Sequence, residues 1–297
     1  VGHLGETLNL LVSSHFPSFR EELCRAAEAT LPGLGFNADE VARFLSQNAE
    51  PFSDTHYLLR DDDRTVSVAM CCGDLLEYVL PMGWEGRSEA VTQTISALKA
   101  IHPTLRLRIS EDTPSHSDWY SALLPSLGFE MVPRFRMTAP TAVILKSNLG
   151  NKLDPEYKLA TLATDQFEAC LDLYLSAYDL SDRSALEMES NLRGSLEIAD
   201  RLRHWTVVFH GQQLVGSCFT SHHRGRIFVE ELAVSKRHRM KGIGRLILLE
   251  SILKTAADFP EAGTVVLDVD RIKEPAVRLY TALGFSILNR YIAARLI

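Results

Sequence analysis

Apolar residues recur along this chain at two spacings, and the changes between them lay out an ordered series of helices and strands. In the second half Phe167, Cys170, Leu171, Tyr174 and Tyr178 fall at helical spacing, which predicts a helix opening at Thr164. A polar helical stretch over 184–203 follows. Runs at 205–209, 213–221 and 226–234 read as strands, with His210-Gly211 and Arg224-Gly225 as the turns between them. A helix over 242–257, a strand over 264–269, a helix over 275–283 and a closing strand complete this half, which begins with a strand at 158–162.

The first half reads in a similar order. A short apolar run at 8–12 precedes two helices, one capped by Ser18 with Glu21 and one by Asn37 with Glu40, the latter carrying Val41, Phe44 and Leu45 on its apolar face. Strands are expected at 56–59, 65–72 and 75–80, then a helix over 87–101, a strand at 105–109, a short helix at 117–124 and a last strand from Phe129. This mixed order reads as α/β (α+β), with sheets covered by helices on both faces.

The similarity of order extends to residues. Leu127-Gly128-Phe129 can be laid on Leu283-Gly284-Phe285, and the same offset carries Arg134-Phe135 onto Arg290-Tyr291. Gly86-Arg87 falls on Gly244-Arg245 at an offset two residues longer, the drift expected of a diverged duplication. The expected domains are therefore 1–148 and 156–297, joined by a linker around 146–155 whose Ser-Asn, Gly-Asn and Asp-Pro pairs are loop signals.

Composition narrows the function classes. At 297 residues and 46% apolar the chain can bury a core in each half. No apolar run reaches the roughly 18 residues of a membrane span, and the first residues lack a basic-then-apolar leader. A net charge of −7 argues against a general nucleic-acid binder. The five cysteines are scattered and odd in number, which fits reduced thiols in a cytoplasmic protein and no metal site. His222-His223 and the acidic run Asp61-Asp62-Asp63 read as turns.

One segment concentrates chemistry. The strand ending at Leu232, Ala233 and Val234 runs into Ser235 and then Arg239-Met240-Lys241-Gly242-Ile243-Gly244-Arg245, after which a helix begins. A glycine-containing turn at a helix N-terminus presents backbone N–H groups and partial positive charge to an anion. Lys236, Arg237, Arg239, Lys241 and Arg245 surround it, a basic cluster in an acidic protein. It is neither a dinucleotide fingerprint nor a P-loop, because Ile247 stands where the third glycine belongs and no G-K-[ST] ending exists.

Arg239 to Gly244 resembles the R/Q-x-x-G-x-G/A motif of the GNAT acetyltransferases, and Ala276-Val277-Arg278-Leu279-Tyr280-Thr281-Ala282-Leu283-Gly284-Phe285 resembles the family's second signature. The resemblance covers 158–297. It implies two tandem GNAT-like domains, each with a mixed, mostly antiparallel sheet flanked by helices, and a splayed gap that holds acetyl-CoA. The Met240–Arg245 backbone would take the pyrophosphate, and the main chain of Leu232, Ala233 and Val234 would pair with the pantetheine arm. Tyr280 occupies the position that protonates the departing thiolate in the family.

An alkylammonium of pKa about 10 needs a base before it can attack. Glu230 and Glu231 are the carboxylates available. Strand alternation puts Glu230 on the face of Phe228, Leu232 and Val234, so Glu230 is the expected base and Glu231 a contact to the acceptor. One departure stands at Glu274, where the family usually has Asn near the pantetheine.

The first half looks like a worn copy. Trp84 falls where Gly242 would be, Pro81 where Arg239 would be and Leu124 where Tyr280 would be, while Glu85 adds the wrong charge. A non-catalytic role follows. The tandem arrangement is similar to that of the mycothiol synthases, although no residue pattern carries over their substrate. The expected function is acetyl transfer from acetyl-CoA to a primary amine of a small molecule. A non-catalytic acyl-CoA sensor or scaffold is the alternative, and a tandem aminoacyl-tRNA-dependent transferase is disfavoured by the intact loop and the acidic charge.

Overall fold

The computed structural model describes residues 8–12, 19–30, 39, 56–61, 64–72, 75–81, 87–102, 105–111, 114–147, 154–178, 182–196 and 204–296. Several expected features lie outside these residues: the cap at Ser18, the helix predicted after Asn37, Asp62 and Asp63, the worn-loop residues Trp84, Glu85 and Gly86, linker residues 148–153, and 197–203.

The elements follow in chain order as β1 (Leu8–Val12), α1 (Phe19–Thr30), β2 (His56–Asp61), β3 (Arg64–Cys72), β4 (Leu75–Pro81), α2 (Arg87–Ile101), β5 (Arg106–Ser110), α3 (Pro114–Ser126), β6 (Phe129–Pro140) and α4 (Thr141–Lys146). They continue as β7 (Tyr157–Thr161), α5 (Phe167–Ala177), α6 (Asp182–Leu196), β8 (Trp205–His210), β9 (Gln213–His223), β10 (Arg226–Val234), α7 (Ile243–Asp258), β11 (Thr264–Asp270), α8 (Glu274–Ala282) and β12 (Ser286–Leu296). The result is an α+β fold with mixed, mostly antiparallel strand pairing. No helix among the described residues is long and apolar enough to cross a membrane.

By contacts the chain forms two compact units, Val1–Pro133 with Arg290–Ile297, and Arg134–Asn289. In the first, β1 to β4 form an antiparallel meander and β4 pairs in parallel with β5. The C-terminal residues Tyr291 to Arg295 add to β5 as an antiparallel strand. Its core gathers Val91, Ile95 and Leu98 of α2 against Leu107, Ile109, Phe129 and Ile292.

In the second unit β7, β8, β9 and β10 are antiparallel neighbours, β10 and β11 are parallel, and residues Arg134 to Pro140 of β6 pair antiparallel with β11. The sheet carries helices on both faces because its central strands are apolar on both. Val208 and Val215 pack into a cluster with Ile247, Leu248 and Ile252 of α7, whereas Val207 and Leu214 pack with Cys170, Leu171 and Tyr174 of α5.

One buried polar group organises the α5 face. Ser217 Oγ, fully enclosed, accepts a hydrogen bond from Trp205 Nε1–H at 2.8 Å and is bonded to Tyr174 Oη at 3.0 Å and Cys170 Sγ at 3.2 Å. Replacing it strands an indole N–H and a phenol in an apolar cluster, where each orphaned group costs about 1–3 kcal/mol. Ser217→Ala is expected to lower unfolding stability by about 2–4 kcal/mol in urea titrations. A change under about 0.5 kcal/mol would mean that neighbouring groups replace the lost partner.

Candidate active site

The second unit contains a gap made by two strands that part. The parallel register of β10 with β11 runs from Arg226 and Thr264 to Val229 and Leu267 and ends there. Both strands continue, β10 to Val234 and β11 to Asp270. On its other edge β10 stays paired with β9 as far as Val234, opposite Gly216. The main chain of residues 231–234 therefore has no β11 partner and borders the opening, the place where an extended ligand could add as a strand.

The parting coincides with a β-bulge. The β10–β9 register shifts between Val229 and Glu231, which inserts one residue and reverses the alternation beyond it. Before the bulge Ile227 and Val229 face α7; after it Leu232 and Val234 do so, while Ala233 joins the α5 cluster. The strict alternation that puts Glu230 with Phe228, Leu232 and Val234 breaks at this point. Glu230 is exposed and accepts a hydrogen bond from Ser221 Oγ at 2.5 Å. Glu231 is half-buried on the α5 side.

The surroundings of Glu231 are mainly phenolic. Tyr178 follows α5, stacks on Tyr174 at 6.3 Å and donates its O–H to Leu232 O at 2.7 Å. Burial pushes the Glu231 carboxyl up to about 7; Tyr178, Arg134 and Lys273 oppose that rise and Glu230 adds to it. Tyr280, on α8, is 6% exposed and meets Phe285 edge-on at 5.9 Å. Burial first, then Cys218 and Glu231, holds its phenol well above the ordinary tyrosine value. At neutral pH it keeps its proton and can donate it.

The loop at the end of β10 is built to expose main chain. After a single 3-10 turn at Lys236–His238, Met240 and Gly242 take left-handed conformations, with φ of 61° and 79°. Helix α7 begins at Ile243 without a side-chain cap on Gly242. Leu246 N–H makes the bond to Gly242 O, so the N–H groups of Ile243, Gly244 and Arg245 have no acceptor within the helix. A Cβ on Gly244 would lie 3.6 Å from Val234 and 3.7 Å from Leu279, at the floor between β10 and α8. A Cβ on Gly216 would lie 2.9 Å from Ile243, so this glycine lets the helix start sit on β9.

Three of the basic side chains in this segment brace the loop. Arg239 donates from Nε to Val234 O at 3.1 Å and from Nη2 to Ala177 O at 2.8 Å, tying β10 to the end of α5. Lys241 donates to Tyr157 Oη at 2.9 Å, and the same phenol meets His238 Nδ1 at 3.1 Å. Arg245 donates to Ser147 O at 3.1 Å. Met240 is 92% exposed at the loop tip. Glu274 lies on the exposed first turn of α8, paired with Arg278 at 3.1 Å.

Strand, bulge, parted neighbour, anion-ready helix start and enclosed phenol form one local arrangement, and residues 167–285 match the profile of the Acetyltransferase (GNAT) family. A GCN5-related N-acetyltransferase from Sphaerobacter thermophilus superposes with a TM-score of 0.57 at 15% identity, over 98% of this chain and 96% of that one. The fold is that of the GNAT acetyltransferases. A tandem GNAT protein from the clavulanic acid biosynthesis pathway superposes with a TM-score of 0.53 at 16% identity over 97% of this chain and 98% of its own. The likeness is one of GNAT fold and does not narrow to mycothiol synthase. Streptothricin acetyltransferase of Streptomyces lavendulae is 36% identical over 64 residues, which is 20% of this chain and 31% of that enzyme. GNAT-fold proteins typically bind acetyl-CoA, and the parted strands with the α7 helix start are the part of this chain suited to it.

Sequence reasoning missed Tyr178 as a site residue, although it ends the apolar stripe of α5. It also missed Gly216, which seats the start of α7 on β9, and Arg134, Asp270 and Lys273, which only three-dimensional pairing brings together.

Proposed function

We propose that the chain transfers an acetyl group from acetyl-CoA to a primary amine of a small molecule, by direct attack in a ternary complex. The chemistry belongs to the second duplicated half, 156–297; the first, 1–148, is a non-catalytic copy. The observation that carries this reading is the parting of β10 from β11 beside an uncapped helix start, with Tyr280 enclosed at the base of α8. In it the N–H groups from Met240 to Arg245 hold the pyrophosphate, and the main chain of Leu232, Ala233 and Val234 pairs with the pantetheine.

Glu231, directly or through one water, takes a proton from the ammonium. The freed nitrogen attacks the thioester carbonyl, the C–S bond breaks as Tyr280 O–H protonates the departing sulfur, and the proton then shed by the acylated nitrogen returns to the Tyr280 phenolate. Glu230, the base expected from alternation, lies exposed at the rim, where its charge favours a cationic acceptor. Glu274 is offered as a cofactor contact only by its position in the motif.

Because the Glu231 carboxyl is raised to about 7, the base is lost as pH falls through that value. The rate is expected to show an acidic limb near pH 7 that Glu231→Gln flattens at a much lower plateau. The raised value also means that folding favours the protonated form, a contribution lost as pH rises through about 7. Glu231→Gln should therefore gain melting temperature relative to wild type at about pH 8.5 but not at about pH 5. Equal shifts at both pH values would remove the titration argument.

Thiol release from acetyl-CoA across a panel of small amines, with mass detection of the acetylated product, tests the function. Release with at least one amine is expected. A rise in melting temperature on adding acetyl-CoA, with no release across the panel, would point instead to an acyl-CoA sensor.

A further inference from the structure

The positive charges acting on Glu231 come from two places, and one of them is a strand that the duplication assigns to the first half. Arg134 stands on β6 directly opposite Asp270 of β11, with Nε 2.9 Å from Oδ1. Lys273, in the turn before α8, reaches the other oxygen of Asp270 at 3.0 Å. The Lys273 ammonium also lies 4.5 Å from the ring centroid of Tyr178, a cation–π distance. Tyr178 in turn fixes Leu232 O, next to Glu231. One step along the strands, Arg136 grips Asp268 with two bonds of 2.9 and 2.8 Å. These opposed pairs lock the register that brings Arg134 to the gap.

We propose that Arg134, through Asp270 and Lys273, is a positioning residue of the transfer site, holding Tyr178 and with it Leu232 O beside Glu231. This rests on the reading of Glu231 as the base. Glu231 is faced by Tyr174 and Tyr178 from the α5 side, Cys218 from β9, Tyr280 from α8, and Glu230 on its own strand. None of these carries a positive charge. Among the described residues, Arg134 and Lys273 are the cations that favour its ionised form, and Asp270, paired with both, is the anion that offsets them. The compact unit that contains the gap begins at Arg134, so the catalytic half as bounded by duplication lacks a residue that its own site uses.

The test reads Glu231 directly in the intact chain. Carboxyl carbons of glutamate are labelled, the Glu231 signal is assigned by its loss in Glu231→Gln, and its midpoint is followed with pH in wild type, Arg134→Met and Arg134→Lys. The midpoint is expected to rise by about one unit in Arg134→Met and to return in Arg134→Lys. The acidic limb of kcat/KM should move by the same amount, with acetyl-CoA affinity unchanged. An unmoved midpoint in a folded Arg134→Met protein overturns the proposal. Should that variant fail to fold, Lys273→Met, whose side chain is 44% exposed, must raise the midpoint in the same direction, and an unmoved midpoint there counts against it equally. A midpoint that moves in a protein acetylating no amine supports the role of Arg134 and overturns the proposed function instead.

Discussion

Tyr280→Phe is expected to lower kcat by about a hundredfold or more while leaving the affinity for acetyl-CoA unchanged. Phenylalanine fills the same enclosed space beside Phe285, so the change removes one hydroxyl and little packing. A well-placed general acid contributes roughly 10²–10⁴ in rate, and burial keeps this phenol protonated across the working pH range. The loss should fall on kcat because the proton is needed only as the C–S bond breaks. Steady-state kinetics at saturating amine, with calorimetric titration of acetyl-CoA, separates the two effects. Full turnover in the variant would remove Tyr280 from the chemistry.

The second large effect is expected at Gly242. Its φ of 79° is left-handed, and no atom lies within 4 Å of where a Cβ would stand. The protein itself leaves that space open, and in the proposed complex the pyrophosphate lies there. Gly242→Trp would impose about 1–2 kcal/mol of backbone strain and obstruct two or three charge-assisted bonds worth about 1.5–3 kcal/mol each. Acetyl-CoA affinity should fall by at least about a hundredfold, with Gly242→Ala much closer to wild type. Equal affinities in wild type and Gly242→Trp, measured by calorimetry, would move the cofactor away from this loop. Tryptophan is also what the sequence carries at Trp84, the position that the offset between the halves lays on Gly242.

The features that sequence made legible are those encoded locally. The apolar period of Phe167 to Tyr178, the Gly211 and Gly225 turns and the Pro275 helix start each act within a few residues, and the structure has elements at all of them. The Gly loop was legible for the same reason: left-handed φ and an uncapped helix start are properties of a short segment. The faces taken by Glu230 and Glu231 were not, because the bulge after Val229 is fixed by pairing with β9 and changes the face of every later residue. The jobs of Arg239, Lys241 and Arg245 were equally hidden. As a cluster they suggest phosphate, yet their partners, Ala177, Tyr157 and Ser147, are distant in sequence. Arg134 is the extreme case, since its partner Asp270 lies far along the chain.

Rapid mixing of the protein with acetyl-CoA, with and without an accepted amine, tests the central claim most directly. Direct transfer in a ternary complex predicts no thiol release without amine and, with it, one CoA thiol for each N-acetyl amide formed. A burst of thiol equal to the protein concentration in the absence of amine, with the chain gaining the mass of one acetyl group, would contradict it.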